Sequence, residues 1–191
     1  MSSCIRVIIG LGNPDPKYKL THHNVGFWFV DALSHQFSGN LRYEQKFLGD
    51  VAKISLSAQE VWLLKPHTYM NHSGQSVSAL LRFYKIPVEN SLVVHDELDL
   101  LPGVMRLKQG GGHGGHNGLR DIVAHLSSKD FQRLRIGIGH PGNSSQVVDY
   151  VLGRASKQDQ TTIAEGMDKA MTVISQIVSG ETQKAMNELH S

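Results

Sequence analysis

Cysteine occurs once in the 191 residues, at Cys4, so no disulfide can close within the chain and a cysteine-based structural zinc site is excluded. That scarcity fits a reducing, cytoplasmic setting. Long apolar runs are also missing. Only Val7-Ile8-Ile9 precedes the first glycines, far short of a signal-peptide core, and nothing approaches the ~20 apolar residues of a membrane span. A soluble protein without a membrane partner is expected. Neither sign of charge dominates, because 19 basic and 17 acidic residues leave a formal charge of +2, too little to declare a nucleic-acid partner. The distribution says more. Between Val104 and Arg135 stand Arg106, Lys108, Arg120, Lys129, Arg133 and Arg135 against only Asp121 and Asp130, a segment suited to attracting phosphate.

Several catalytic signatures are absent as well. Gly10-Leu11-Gly12-Asn13-Pro14-Asp15 has an aspartate where a dinucleotide fingerprint needs its third glycine, and Gly118 is followed by Leu119 rather than by the Lys-Ser/Thr of a phosphate loop. No Gly-x-Ser-x-Gly elbow and no His-Glu-x-x-His helix occurs. Covalent catalysis thus lacks its usual nucleophile, and water is the expected attacking group.

What is present alternates between strand and helix signals. Ile5–Gly10 reads as a short buried strand ending in a turn, and Asn24 as the cap of a helix running to about Phe37. Val51–Ser55 and Val61–Lys65 read as strands around Ser57-Ala58-Gln59, with Pro66 ending the second. Ser73 opens a helix that stops before Pro87. Ser91–His95 is a strand that delivers Asp96, Glu97 and Asp99 to its end. Val104–Lys108 and Leu134–Gly139 are further strands around a helix at Gly118–Leu126. Beyond Gly153 one apolar stripe runs from Ile163 to Val178, Gly180 stops it, and a short helix follows. With no repeat and no linker, a single α/β domain over residues 1–191 is expected.

The most unusual segment is Gly110 to Gly118, nine residues holding six glycines with His113, His116 and Asn117 among them. A glycine loop opening a helix can present N–H groups to an anion, and with Lys108 and Arg120 flanking it phosphate is the natural candidate. The eleven histidines raise the question of a metal, through His22/His23 or His113/His116 with Asp96 and Glu97, although imidazoles on a glycine loop are poorly pre-oriented for a cation. The simpler chemistry is a histidine base oriented by a carboxylate and surrounded by amides, for which Thr21-His22-His23-Asn24 and His95-Asp96 supply the residues.

These segments converge on a family. The chain resembles the bacterial-type peptidyl-tRNA hydrolases through Gly10-Leu11-Gly12-Asn13-Pro14 with Tyr18, His23-Asn24-Val25-Gly26, the run from Lys65 to Gly74, His95-Asp96-Glu97-Leu98-Asp99, the glycine loop through Asp121, and the run from Phe131 to Gly142. The resemblance extends from residue 8 to Val151-Leu152-Gly153. It implies one α/β domain with a twisted, mostly parallel mixed sheet and helices packed on both faces, acting as a cytoplasmic monomer without cofactor or metal. It implies hydrolysis of the ester between a peptide and the 3′-terminal ribose of tRNA, with His23 as base and Asp96 orienting it. By the same resemblance Asn13, Asn71 and Asn117 position the substrate. Tyr18, Met70 and His116 join them around it, and Arg106, Lys108 and Arg135 contact tRNA. Two departures stand out. His22 occupies a place where many relatives have arginine, and Asn143-Ser144-Ser145 is uncharged where the family often has a basic residue, which weakens one expected tRNA contact. Two other readings would fit parts of this pattern, a non-catalytic RNA-binding adaptor and a metal-dependent hydrolase.

Overall fold

The computed structural model describes residues 3–191. One seven-stranded mixed sheet forms its centre, in the order β2-β3-β4-β1-β5-β7-β6. The strands are β1 (Val7–Gly10), β2 (Arg42–Glu44), β3 (Gly49–Leu56), β4 (Gln59–Pro66), β5 (Ser91–Glu97), β6 (Met105–Gln109) and β7 (Gln132–Gly137). β4, β1, β5 and β7 pair in parallel, while β3 and β6 run against their neighbours. The parallel centre explains the near-continuous apolar runs, since such strands are covered on both faces. Ile8, Leu92 and Val94 face a core built with α1 (Val25–Gln36), α5 (Lys157–Thr172), α6 (Ile174–Val178) and α7 (Thr182–Leu189). Val7, Ile9 and Val93 face a second core with α2 (Ser73–Phe83) and α3 (Asn117–Leu126).

Most sequence-read elements occur, and the differences have physical causes. β3 and β4 close through Ser57 and Ala58, both at positive φ (53° and 59°), the backbone that a two-residue hairpin requires. β5 continues to Glu97, so Asp96 is the penultimate residue of the strand and not a loop residue beyond it. β2, whose three residues are all exposed, has no apolar alternation to announce it and exists by pairing with the edge of β3. The apolar stripe from Ile163 to Val178 is broken at Val173 (φ −110°, ψ 4°) into α5 and α6, yet Val173 itself stays buried. A five-residue helix, α4 (Val147–Val151), lies between β7 and α5.

One contact decides where the chemistry can sit. A Cβ on Gly10 would lie 2.2 Å from the Gly26 carbonyl oxygen, and one on Gly26 would lie 2.5 Å from the Leu11 nitrogen and the Val94 carbonyl oxygen. Two bare backbones therefore let the first turn of α1 rest directly on β1 and β5. The residues just before that turn, His22 to Asn24, are brought over the carboxyl ends of the same strands.

Candidate active site at the carboxyl ends of the central strands

In open α/β sheets the crevice outside the carboxyl ends of the strands is the usual ligand site, and the sequence-derived residues gather there. After β1 the chain turns through Leu11-Gly12-Asn13. Asn24 was expected to cap α1, but its side chain makes no capping bond. It pairs instead with the backbone of Asn13, accepting from the Asn13 N–H at 2.8 Å and donating to the Asn13 carbonyl at 2.9 Å. This reciprocal pair supplies the backbone partners that the turn would otherwise lack. The Met70 N–H then donates to the Asn13 side-chain oxygen at 2.7 Å, which fixes the amide and leaves its NH2 as the group on offer.

Asp96, fully buried at the end of β5, sits between two imidazoles. His23 Nδ1 lies 2.9 Å from each carboxylate oxygen, and His116 Nε2 lies 2.8 Å from Oδ1. The far side of His116 is also occupied, because its Nδ1 accepts from the N–H groups of Gly118 and Leu119 at 3.1 and 3.3 Å, capping α3. His116 thus carries its proton on Nε2 and gives it to Asp96. His23 gives Asp96 its Nδ1 proton, so its Nε2 presents a lone pair. Burial alone would push the pKa of His23 down, but the Asp96 charge and hydrogen bond outweigh it and hold it above 6.5. Burial would push Asp96 up, yet the two imidazoles hold its carboxyl well below the usual range. His95 donates to the backbone carbonyl of Asp96 at 2.8 Å; burial first, and then the neighbouring His116, push its pKa down to about 3, so it stays neutral.

The glycine loop was expected to cradle an anion, and several of its amides are already engaged within the chain. The Gly118 and Leu119 amides at the start of α3 are spent on the His116 ring, and the Gly115 amide is taken by His113 Nδ1 at 3.0 Å. The loop serves chiefly to carry His116 to Asp96, with Gly111, Gly114 and Gly115 at φ of 92°, 58° and 82° permitting the path. Sequence reading missed its support. Arg133, nearly buried on β7, donates to the carbonyls of Gly112 and Gly111 at 2.6 Å each and braces the loop from below. An arginine among glycines' carbonyls has no local sequence signature, because β7 and the loop meet only through the sheet.

A cleft of about 920 Å³ opens above these groups, and its lining includes Asn13, Tyr18, His23, Met70, Asn71, Asp96, Lys108, His116, Asn117 and Arg135. Arg106 is the one sequence-derived site residue outside that lining. Met70 is buried in the wall, whereas Asn71 and Asn117 are exposed on the rim. The Asn117 side-chain oxygen accepts from Arg120 at 3.1 Å. Arg106 faces Arg135, and Lys108 faces Arg133, across the β6–β7 ladder. Like charges opposite one another weaken a ladder, and together they make this edge a positive band. Arg135 is partly neutralised, since its Nε donates to Glu97 at 2.9 Å. His22 is turned away from Asp96 altogether, toward Tyr150 and Asp159.

Among the described residues, His23, Asp96 and His116 also form the one group able to hold a metal, with candidate ligand atoms within 4.8 Å of one another. Its donor set fits a cation poorly. Both nitrogens are already N–H donors to the carboxylate, and an imidazole must present a lone pair to bind a metal.

Fold and site together define an α/β protein with an imidazole–carboxylate centre at its strand ends and a positive rim beside it. The sequence model of the peptidyl-tRNA hydrolases matches residues 7–191. The chain is 52% identical over 191 residues to the peptidyl-tRNA hydrolase of Coxiella burnetii and 49% identical over 191 residues to that of Neisseria gonorrhoeae, with each chain wholly covered. The crystal structure of the Acinetobacter baumannii peptidyl-tRNA hydrolase superposes with a TM-score of 0.95 at 48% identity, covering 98% of this chain and 95% of that one. The chain belongs to the peptidyl-tRNA hydrolase family and is a hydrolase. In the described residues no helix is long and apolar enough to cross a membrane.

Proposed function

We propose that this protein hydrolyses the ester joining a peptide to the 3′-terminal ribose of tRNA, with water activated by His23 and without a metal. The observation that carries the reading is the pairing of His23 with Asp96: Nδ1 lies 2.9 Å from both carboxylate oxygens, so a proton held there leaves Nε2 of this cleft-lining ring as a base. Nε2 takes a proton from water as the oxygen attacks the ester carbonyl carbon, and Asp96 stabilises the imidazolium that forms. The carbonyl oxygen gains negative charge, which the fixed NH2 of Asn13 is placed to receive without altering the charge of the base. Collapse of the adduct breaks the bond to the ribose oxygen, which leaves with the proton that His23 holds. A free peptide acid and tRNA result.

Of the three rim and wall asparagines, Asn13 and Asn117 have their side-chain oxygens taken by Met70 and Arg120, whereas that of Asn71 has no partner among the described residues. Asn71 is therefore the acceptor for the peptide N–H. A free aminoacyl ammonium would have to give up part of its stronger hydration to enter the cleft, and this disfavours aminoacyl-tRNA whose amino group is unblocked. The whole chain acts as one domain and as a monomer in the cytoplasm.

The test is peptide release from an N-blocked aminoacyl-tRNA in excess chelator. Turnover should match that without chelator, and an activity lost to chelator and restored by a divalent cation would overturn the metal-free reading. The positive rim makes a separate prediction. Replacing Lys108 and Arg106 with alanine should weaken tRNA binding and lower the slope of log affinity against log salt by about one for each charge removed. Arg135→Ala should change that slope less, because Glu97 already balances its charge. Slopes unchanged from wild type in the Lys108 and Arg106 variants, measured by titration at several salt concentrations, would deny that this edge reads the backbone.

A further inference from the structure

His22 precedes the proposed base in the chain and points the opposite way. Its ring is nearly buried and stacks on Tyr150, with centroids 4.3 Å apart and planes 17° from parallel. Nδ1 lies 3.1 Å from the Tyr150 backbone carbonyl, and Nε2 lies 3.1 Å from a carboxylate oxygen of Asp159. Both partners are acceptors only. A neutral imidazole has one N–H and one lone pair, so it would set the lone pair against one of these oxygens. The ring with a proton on each nitrogen satisfies both.

The two acceptors belong to different elements. Tyr150 is in α4, and Asp159 stands in the first turn of α5, where its N–H donates to the capping Ser156 hydroxyl at 3.0 Å. Backbone bonds close the same junction: the His22 N–H reaches the Gly153 carbonyl at 3.3 Å, the Ala155 N–H reaches Leu20 at 2.9 Å, and Thr21 bridges to Arg154. α4 in turn supplies Val147, Val148 and Val151 to the cleft lining. One ring therefore joins the turn that presents His23, a wall of the cleft and the start of the next helix.

We infer that His22 is a positioning residue, protonated on both ring nitrogens, that fastens the α4 wall and the first turn of α5 to the turn carrying His23. The groups set against it are the Asp159 carboxylate from α5, the Tyr150 phenol from α4, whose own ionisation is pushed up by burial and by Asp159, and its chain neighbour His23, which is turned to Asp96. Arg154 adjoins through its backbone pairing with Thr21. A lone pair set against either oxygen would cost the junction one of its bonds. The consequence for turnover rests on the reading of the adjacent cleft as the catalytic site.

Nitrogen-15 NMR on the whole wild-type protein reads the ring directly. Both His22 nitrogens should carry the protonated signature at a pH where the protein turns over peptidyl-tRNA, and a neutral signature there overturns the inference whatever the reaction is. Kinetics supply the second readout. His22→Gln, with one amide donor group and no charge, should lower kcat/KM about tenfold, the scale of a small misplacement near a reacting centre. His22→Arg, which offers N–H donors to both oxygens, should recover most of that loss. An arginine variant as weak as the glutamine one overturns the inference. Persistence of a rising limb in the pH profile of His23→Ala would defeat the reading of His23 instead, and would leave the His22 ring signature unchanged.

Discussion

His23→Ala is expected to lower kcat about 10²–10⁴-fold while leaving tRNA affinity within a few-fold of wild type, because in the proposed reaction the imidazole removes a proton and reads no part of the nucleic acid. Single-turnover release of an N-blocked aminoacyl group, with tRNA affinity measured separately, separates the two effects. The pH profile sharpens the result. The working form of His23 is the one without a proton on Nε2, and the Asp96 charge and hydrogen bond, prevailing over burial, hold its pKa above 6.5. In the wild type kcat/KM should therefore rise with pH through that raised value and be lost below it. In the alanine variant this limb should disappear. A variant with near-normal turnover, or one in which the limb persists, removes His23 from the role of base.

Asp96→Asn is expected to slow kcat by about 10²–10⁴-fold with little change in fold, and the reason lies in the second imidazole. His116 can only donate to residue 96, since its other nitrogen is held by the amides of Gly118 and Leu119. An asparagine must then turn its oxygen toward His116 and its NH2 toward His23. His23 Nδ1 becomes an acceptor, the proton moves to Nε2, and the lone pair that faced the cleft is gone. Nitrogen-15 shifts of His23 report the tautomer directly. An asparagine variant with wild-type turnover, or one whose His23 keeps its proton on Nδ1, would show that the carboxylate does not set the base. The same pair affects stability in opposite directions. The depressed pKa of Asp96 gives stability that is present above its unfolded value and lost as pH falls through the folded one, while the raised pKa of His23 gives stability that is lost as pH rises through its folded value.

The parts of this architecture legible in the sequence are those that carry a local physical signature. Val7-Ile8-Ile9 and the β5 run are apolar without alternation because parallel neighbours cover both faces, and the glycines beyond them mark the turns. Arg42-Tyr43-Glu44 carries no such signature, since an exposed edge strand is formed by its partner and not by its own pattern. The break at Val173 is hidden because the apolar stripe continues across it. At the site, motif spacing named His23 and Asp96 but gave no distance across the 73 positions between them. It placed His116 and Asn24 by type without their partners. The imidazole lines the cleft and also caps α3 and grips Asp96, and the amide looked like a helix cap and proves to hold the Asn13 turn. Each task depends on a partner from another element, which a one-dimensional pattern does not record.

The seam between Gly10 and Gly26 has a practical bearing on how the molecule meets changing surroundings. It is held by the close approach of two bare backbones and contains neither ionic nor titrating groups, so acidity and electrolyte find nothing to act on within that contact. Under the proposed reaction those variables would act instead on proton occupancy within the crevice and on the charged margin. Chemistry and capture of the polyanion would then be tunable as separate properties, on a common mount.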